Sequence, residues 1–186
     1  MSTLSTSVLW TLTEWAVSTK AFRRNKVSLE KKIVAAALCN NGFSYREVAR
    51  LVGGLSFIAT RDAYVSMVTS LPASSRRYRR EVSIDGSDVV LEGTKCHLWL
   101  ARDVDSGEIL NFGGSPSGSA EDGARFLSKV AELCQNRPVV RLGEGISTPR
   151  GLLNLDLYFQ QPQPHGLIKT IGRILRGGDF WQPAGA

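Results

Sequence analysis

Long apolar runs are missing from this 186-residue chain. No stretch reaches the roughly 18 to 20 residues that a bilayer-crossing helix requires, so no membrane span is expected. Cysteine is scarce: Cys39, Cys96 and Cys134 stand far apart, with neither the paired spacing of a metal site nor the density of a disulfide framework. They read as reduced, buried thiols. Met1 to Trp15 lacks a basic start followed by a long apolar core, so a cytoplasmic protein is expected rather than a secreted one. Nucleophile motifs and phosphate loops are absent. Gly143-Glu144-Gly145 is an isolated Gly-x-Gly without the rest of a nucleotide fingerprint. Acid is missing from one place in particular, since no Asp or Glu occurs between Leu157 and Gly178.

What is present is a hydrophobic content of 42%, enough for a core, and an excess of base: 23 Lys and Arg against 17 Asp and Glu, a net charge of +6 and a pI near 9.5. The excess is clustered at Arg23-Arg24-Asn25-Lys26, at Lys31-Lys32, at Arg76-Arg77-Tyr78-Arg79-Arg80, and at Lys169, Arg173 and Arg176. Clustered positive charge is the footprint of a polyanion-binding surface. Double-stranded DNA is the expected partner, and nucleoid association the expected location.

The first 71 residues read as helices. Leu9, Leu12, Trp15 and Ala16 recur at helical spacing between Ser5 and Lys20. Ser28 caps a second helix running to Asn40, with Leu29, Ile33, Ala37 and Leu38 on its apolar side. Ser44-Tyr45-Arg46-Glu47 is a capping box opening a short helix to about Val52. Gly53-Gly54 makes a turn, and Ser56 opens a helix reaching Leu71. The helix, glycine turn and helix resemble the helix-turn-helix of transposases and repressors. Ser56, Thr60 and Arg61 are its candidate DNA contacts at the start of the second helix, beside Arg46 and Arg50. Phe57 and Ile58 are apolar where a base-reading helix carries polar side chains, so phosphate contact is expected more than sequence readout. A plain three-helix bundle is the structural alternative.

Residues 72–80 read as a basic linker whose Arg76, Arg77, Arg79 and Arg80 lie along a phosphate backbone. The alternative is that they pair with Glu81, Asp88 or Glu92. Residues 81–186 alternate as strands and helices. Val82, Ile84 and Val90 mark a half-buried strand, Glu92-Gly93-Thr94 a tight turn, and Cys96 to Val104 a second strand in which His97 is a packed histidine. Asp105-Ser106-Gly107 is another turn, and Ile109 to Phe112 begins a third strand. Gly113 to Gly118 reads as a flexible loop. Ser119 caps a helix with Ala124, Leu127, Val130, Ala131 and Cys134 on its apolar face, ended by Asn136-Arg137-Pro138. Val139 to Leu142 is a fourth strand. A short helix over 148–156, a strand at Leu157-Tyr158-Phe159 and a last helix from His165 to Leu175 complete the pattern. The last helix carries Lys169, Arg173 and Arg176 largely on its polar side.

Asp85, a carboxylate inside the first strand, together with this order of elements, resembles the catalytic domain of a DDE-type insertion-sequence transposase. The resemblance implies an α/β protein: an N-terminal helical helix-turn-helix domain (1–71), a basic linker (72–80) and a ribonuclease-H-like mixed-sheet domain (81–186). In that family three carboxylates hold two metal ions, one on the first strand, one just after the fourth, one on the last helix. Asp85 fills the first place. Gly143 stands in the second, with Glu144 one position late. The third falls near Leu167, in the acid-free stretch. The expectation is a DNA-binding protein derived from such a transposase, with its nuclease site lost, no cofactor or metal, a weakly specific architectural or regulatory role, and self-association as a homodimer or larger homo-oligomer. Asp85 and Glu144 are then vestigial. The alternatives are an active enzyme using Mg²⁺, Asp85, Glu144 and a further acid such as Asp103 or Asp156, and a protein-interaction module presenting Trp10, Trp15, Phe57 and Trp181.

Overall fold

The computed structural model describes residues 8–23 and 26–143. Four helices lead: α1 (Val8–Ser18), α2 (Leu29–Asn40), α3 (Tyr45–Val52) and α4 (Phe57–Ser70). Three strands follow, β1 (Glu81–Leu91), β2 (Thr94–Asp103) and β3 (Ile109–Ser115), then α5 (Ala120–Glu132) and β4 (Val139–Leu142). Serine side chains fix the starts of four helices. The hydroxyls of Ser28, Ser44, Ser56 and Ser119 accept from the amides of Lys31, Glu47, Ala59 and Asp122, satisfying donors that a helix N-terminus leaves open. No helix among the described residues is long and apolar enough to cross a membrane. The elements expected over 148–175 lie outside the described residues.

The sheet is mixed, in the order β3-β2-β1-β4. β1 and β2 form an antiparallel hairpin in which Leu91 faces Thr94. Glu92 and Gly93 between them both have positive φ, 49° and 83°, as a two-residue turn matched to strand twist requires. β3 is antiparallel to β2, and β4 returns through α5 to lie parallel to β1.

Strand alternation divides the interior into two layers. Val89, Cys96, Leu98, Leu100 and Phe112 face α1 to α4 and join one apolar cluster with them. Val82, Ile84, Trp99, Ala101 and Leu110 face the other way, onto Phe126, Leu127 and Val130 of α5. The molecule is thus a mixed α/β structure with helices on both sides of a sheet. The middle of α2 is wrapped on all sides, and Ile33 through Cys39 are all buried. Burial pushes the Cys39 thiol up to about 12 and raises those of Cys96 and Cys134, as suits inert core thiols. The leading helices share their core with the sheet, so the 72–80 segment joins parts of one packed unit. It is itself laid against the end of α5, where the Arg77 amide donates to Leu133 O and the Gln135 amide to Arg77 O.

One expectation from the sequence is corrected. Gly113 and Gly114 do not belong to a loop, for they pair with Trp99 and Leu98 as the end of β3. A Cβ on Gly113 would come within 2.8 Å of the Phe126 ring, and one on Gly114 within 3.2 Å of Leu98. The glycines permit close approach of α5 and α2 to the strand.

Candidate nucleic-acid interface and the Asp85 region

Asp85 lies opposite Leu100 in the β1–β2 register, on the sheet face that α1 to α4 cover further along. Its half-buried carboxylate is already engaged: Arg102 Nη2 donates to Oδ2 at 2.8 Å. β4 comes alongside, and the Gly143 amide donates to Ile84 O at 2.8 Å. This brings residue 143 directly against Asp85, where a Cβ would stand 2.2 Å from Asp85 Oδ1. The parallel strand therefore aims position 143 at the Asp85 carboxylate, and that position holds glycine. Glu81, nearby on the same face, is committed to Arg141 at 2.6 Å.

These residues do not suit a divalent cation. Mg²⁺ needs several oxygen ligands, whereas a guanidinium occupies Asp85 and no carboxylate projects from 143. Among the described residues no group of three or more His, Cys, Asp or Glu side chains is arranged to hold a metal. Asp103 is excluded as a helper, because it faces Val82 across the hairpin and so points to the opposite side of the sheet from Asp85. Glu144 and Asp156 lie outside the described residues.

The helix-turn-helix candidates divide. Arg46 and Arg50 on α3 and Arg61 on α4 are exposed. Arg46 lies over the Phe57 ring, 5.8 Å from its centroid, and Arg61 Nη1 is 3.8 Å from Asp62. Ser56 is exposed but caps its own helix. Thr60 is a correction: it is fully buried, and its hydroxyl donates to Ser56 O at 3.0 Å, so it has no access to DNA. The outer face of α4 opens instead with exposed Phe57 and Ile58.

The basic segment is corrected most. Arg79 has no exposed side-chain surface. Its Nη1 donates to Asp103 Oδ2 at 2.6 Å and Glu108 Oε2 at 3.2 Å, its Nε to Leu133 O and its Nη2 to Ser75 O. It is a structural cation. Arg77 pairs with Glu108 at 2.7 Å, and Arg80 forks onto Asp105. Arg76 is exposed, and its Nε donates to Cys134 O at 3.5 Å. The anion that relieves this cluster is thus the acidic β2–β3 turn. Extending the hairpin register outward from the Val82–Asp103 pair brings Arg80 opposite Asp105, a signal that sequence reasoning passed over. The acids expected as partners are committed elsewhere: Glu92 to Lys31, Asp88 to Lys95 and to His97 Nδ1, and Glu81 to Arg141. His97 is therefore half-buried in an ionic cluster rather than packed in the apolar interior.

Burial opposes ionisation of Asp103, yet the amides of Ser106 and Asp105 and the Arg79 guanidinium outweigh it and hold the carboxyl below its usual range. Glu108 is likewise held low, against burial, by Ser74, Arg79 and Arg77.

No family model matches the sequence. An uncharacterised protein of Methanocaldococcus jannaschii is 28% identical over 151 residues, which cover 80% of this chain and 71% of that protein. The similarity reaches across most of both chains and carries no assigned role. Trp15 packs against the main core, Trp10 is 57% exposed, and Trp181, Lys169, Arg173 and Arg176 lie outside the described residues.

Proposed function

We propose that this chain is a DNA-binding protein built on the plan of a DDE transposase whose nuclease site has been lost. The observation that carries the reading is the Asp85 region: the first-strand carboxylate is neutralised by Arg102 at 2.8 Å, and the neighbouring strand end that faces it bears Gly143. The strand order, with a β4 parallel to β1 after an antiparallel trio, fits a ribonuclease-H-like sheet. DNA is held by the exposed arginines of α3 and α4. Phosphate contacts position a duplex without reading it, and the apolar start of α4 offers little for base edges. Binding is therefore weakly specific and strongly salt-dependent, as suits an architectural or broadly regulatory protein that self-associates along DNA.

The test is binding and cleavage on one preparation. Purified protein binds unrelated duplexes with similar affinity and neither nicks nor joins supercoiled plasmid with Mg²⁺ or Mn²⁺. Metal-dependent cleavage abolished by Asp85→Ala would refute loss of the nuclease site. Absence of duplex binding at low salt would refute the DNA-binding role and favour a protein-interaction module.

A further inference from the structure

A groove of about 470 Å³ runs between the C-terminal end of α1 and the outer side of α4. Its lining includes Lys20 and Arg23 from the first side and Arg61, Asp62, Ser66 and Thr69 from the second. Lys20 and Arg23 have no carboxylate partner among the described residues. Among these residues Arg61 has only Asp62, 3.8 Å away, with both side chains more than half exposed. The backbone supplies an independent clue. Lys20 has φ of 52°, at the helix-ending position where the Ala21 amide returns to Ala16 O. Glycine fills such a position with least strain, yet here it carries a cation. Among the described residues no aromatic ring lines the groove, so they offer no surface on which an unpaired base would stack. Cations and hydroxyls without rings match a phosphodiester backbone.

We propose that this groove seats one strand of the backbone of duplex DNA, with Lys20 and Arg23 neutralising phosphates beside Arg61. The proposal rests on the DNA-binding reading above and adds a second line of contact to that of Arg46 and Arg50. The competing role for Lys20 and Arg23 is local: cations at the end of α1 offset the partial negative charge of its last carbonyls. That role predicts a loss of stability with no change in DNA affinity.

The experiment compares three full-length proteins by fluorescence anisotropy on a labelled duplex and on its labelled single strand between 50 and 200 mM salt, with thermal unfolding alongside. They are wild type, Lys20→Gly/Arg23→Gln, and Arg46→Ala/Arg50→Ala. The glycine relieves the strained position, so the first variant folds. Two lost phosphate contacts lower the slope of log affinity on log salt by about 1.8, which shrinks the fall in affinity across that range by about tenfold. That result, with an unchanged or raised melting temperature, is expected. An unchanged slope in Lys20→Gly/Arg23→Gln, while Arg46→Ala/Arg50→Ala weakens binding, overturns the groove and leaves the DNA-binding reading standing. No duplex binding by wild type overturns both. A loss confined to single-stranded oligonucleotides overturns the assignment to duplex DNA.

Discussion

Arg79→Met removes a cation from the interior while keeping most of the side-chain volume. The variant loses the bonds to Asp103 at 2.6 Å and Glu108 at 3.2 Å, and those to Leu133 O at 3.1 Å and Ser75 O at 3.0 Å. Asp103, only 4% exposed, then keeps the amides of Asp105 and Ser106 and the half-exposed Arg77 at 3.6 Å, but not its close, buried counter-charge. Removing one partner of a buried ion pair costs about 3–5 kcal/mol. In a chain of this size each kcal/mol shifts the melting temperature by roughly 2–4 °C, so the expected drop at pH 7 is about 6–20 °C. Arg80→Ala is the comparator. It breaks an exposed pair with Asp105 and is expected to leave the melting temperature nearly unchanged. The sign of the pH dependence is a second check. The folded-state pKa values of Asp103 and Glu108 are depressed. Their contribution is present above the unfolded values of about 4 and is lost as pH falls through the lower folded values. Without Arg79 both carboxyls rise, so the deficit of the variant is greatest at neutral pH and narrows as pH is lowered through about 4. Circular-dichroism melts at several pH values, with the DNA salt slope measured below the melting range, decide the matter. A melting temperature within about 2 °C of wild type, together with a slope flatter by about 0.9, would identify Arg79 as a phosphate contact and refute the structural role.

Two further substitutions probe the sheet. Gly143→Asp combined with Arg102→Ala places two carboxylates side by side and removes the guanidinium. It is expected to bind Mn²⁺ measurably by electron paramagnetic resonance, with Mn²⁺ uptake no greater than that of the parent protein counting against the geometric argument. Gly118 has φ of 62°, and a Cβ there would lie 2.5 Å from the His97 ring, which Asp88 holds in place. Gly118→Ala is therefore expected to destabilise by about 1–3 kcal/mol, read as a lowered urea midpoint at unchanged m-value.

Features that depend on neighbours along the chain were legible before any fold was known. Four serines start four helices because a cap needs only its own hydroxyl and an amide two or three residues on. Glu92-Gly93 closes the first hairpin, and the alternation from Val82 to Ala101 assigns residues to faces, because both are local backbone geometry. The surplus of base was visible too, but not its use. Four arginines in five positions look the same whether they meet phosphates or acids. Only the folding of the β2–β3 turn back onto them brought Asp103, Asp105 and Glu108 within reach and drew Arg79 inside. Thr60 reads as a surface residue until α4 packs on α2. Gly113 and Gly114 read as a loop until α5 crosses the strand. Asp85 was legible as a carboxylate in a strand, whereas its pairing with Arg102, its separation from Asp103 by the sheet, and the contact with Gly143 were decided by strand register. Register is a relation between distant segments, and the long-range parallel pairing of β4 with β1 is what brings glycine rather than a second acid against Asp85.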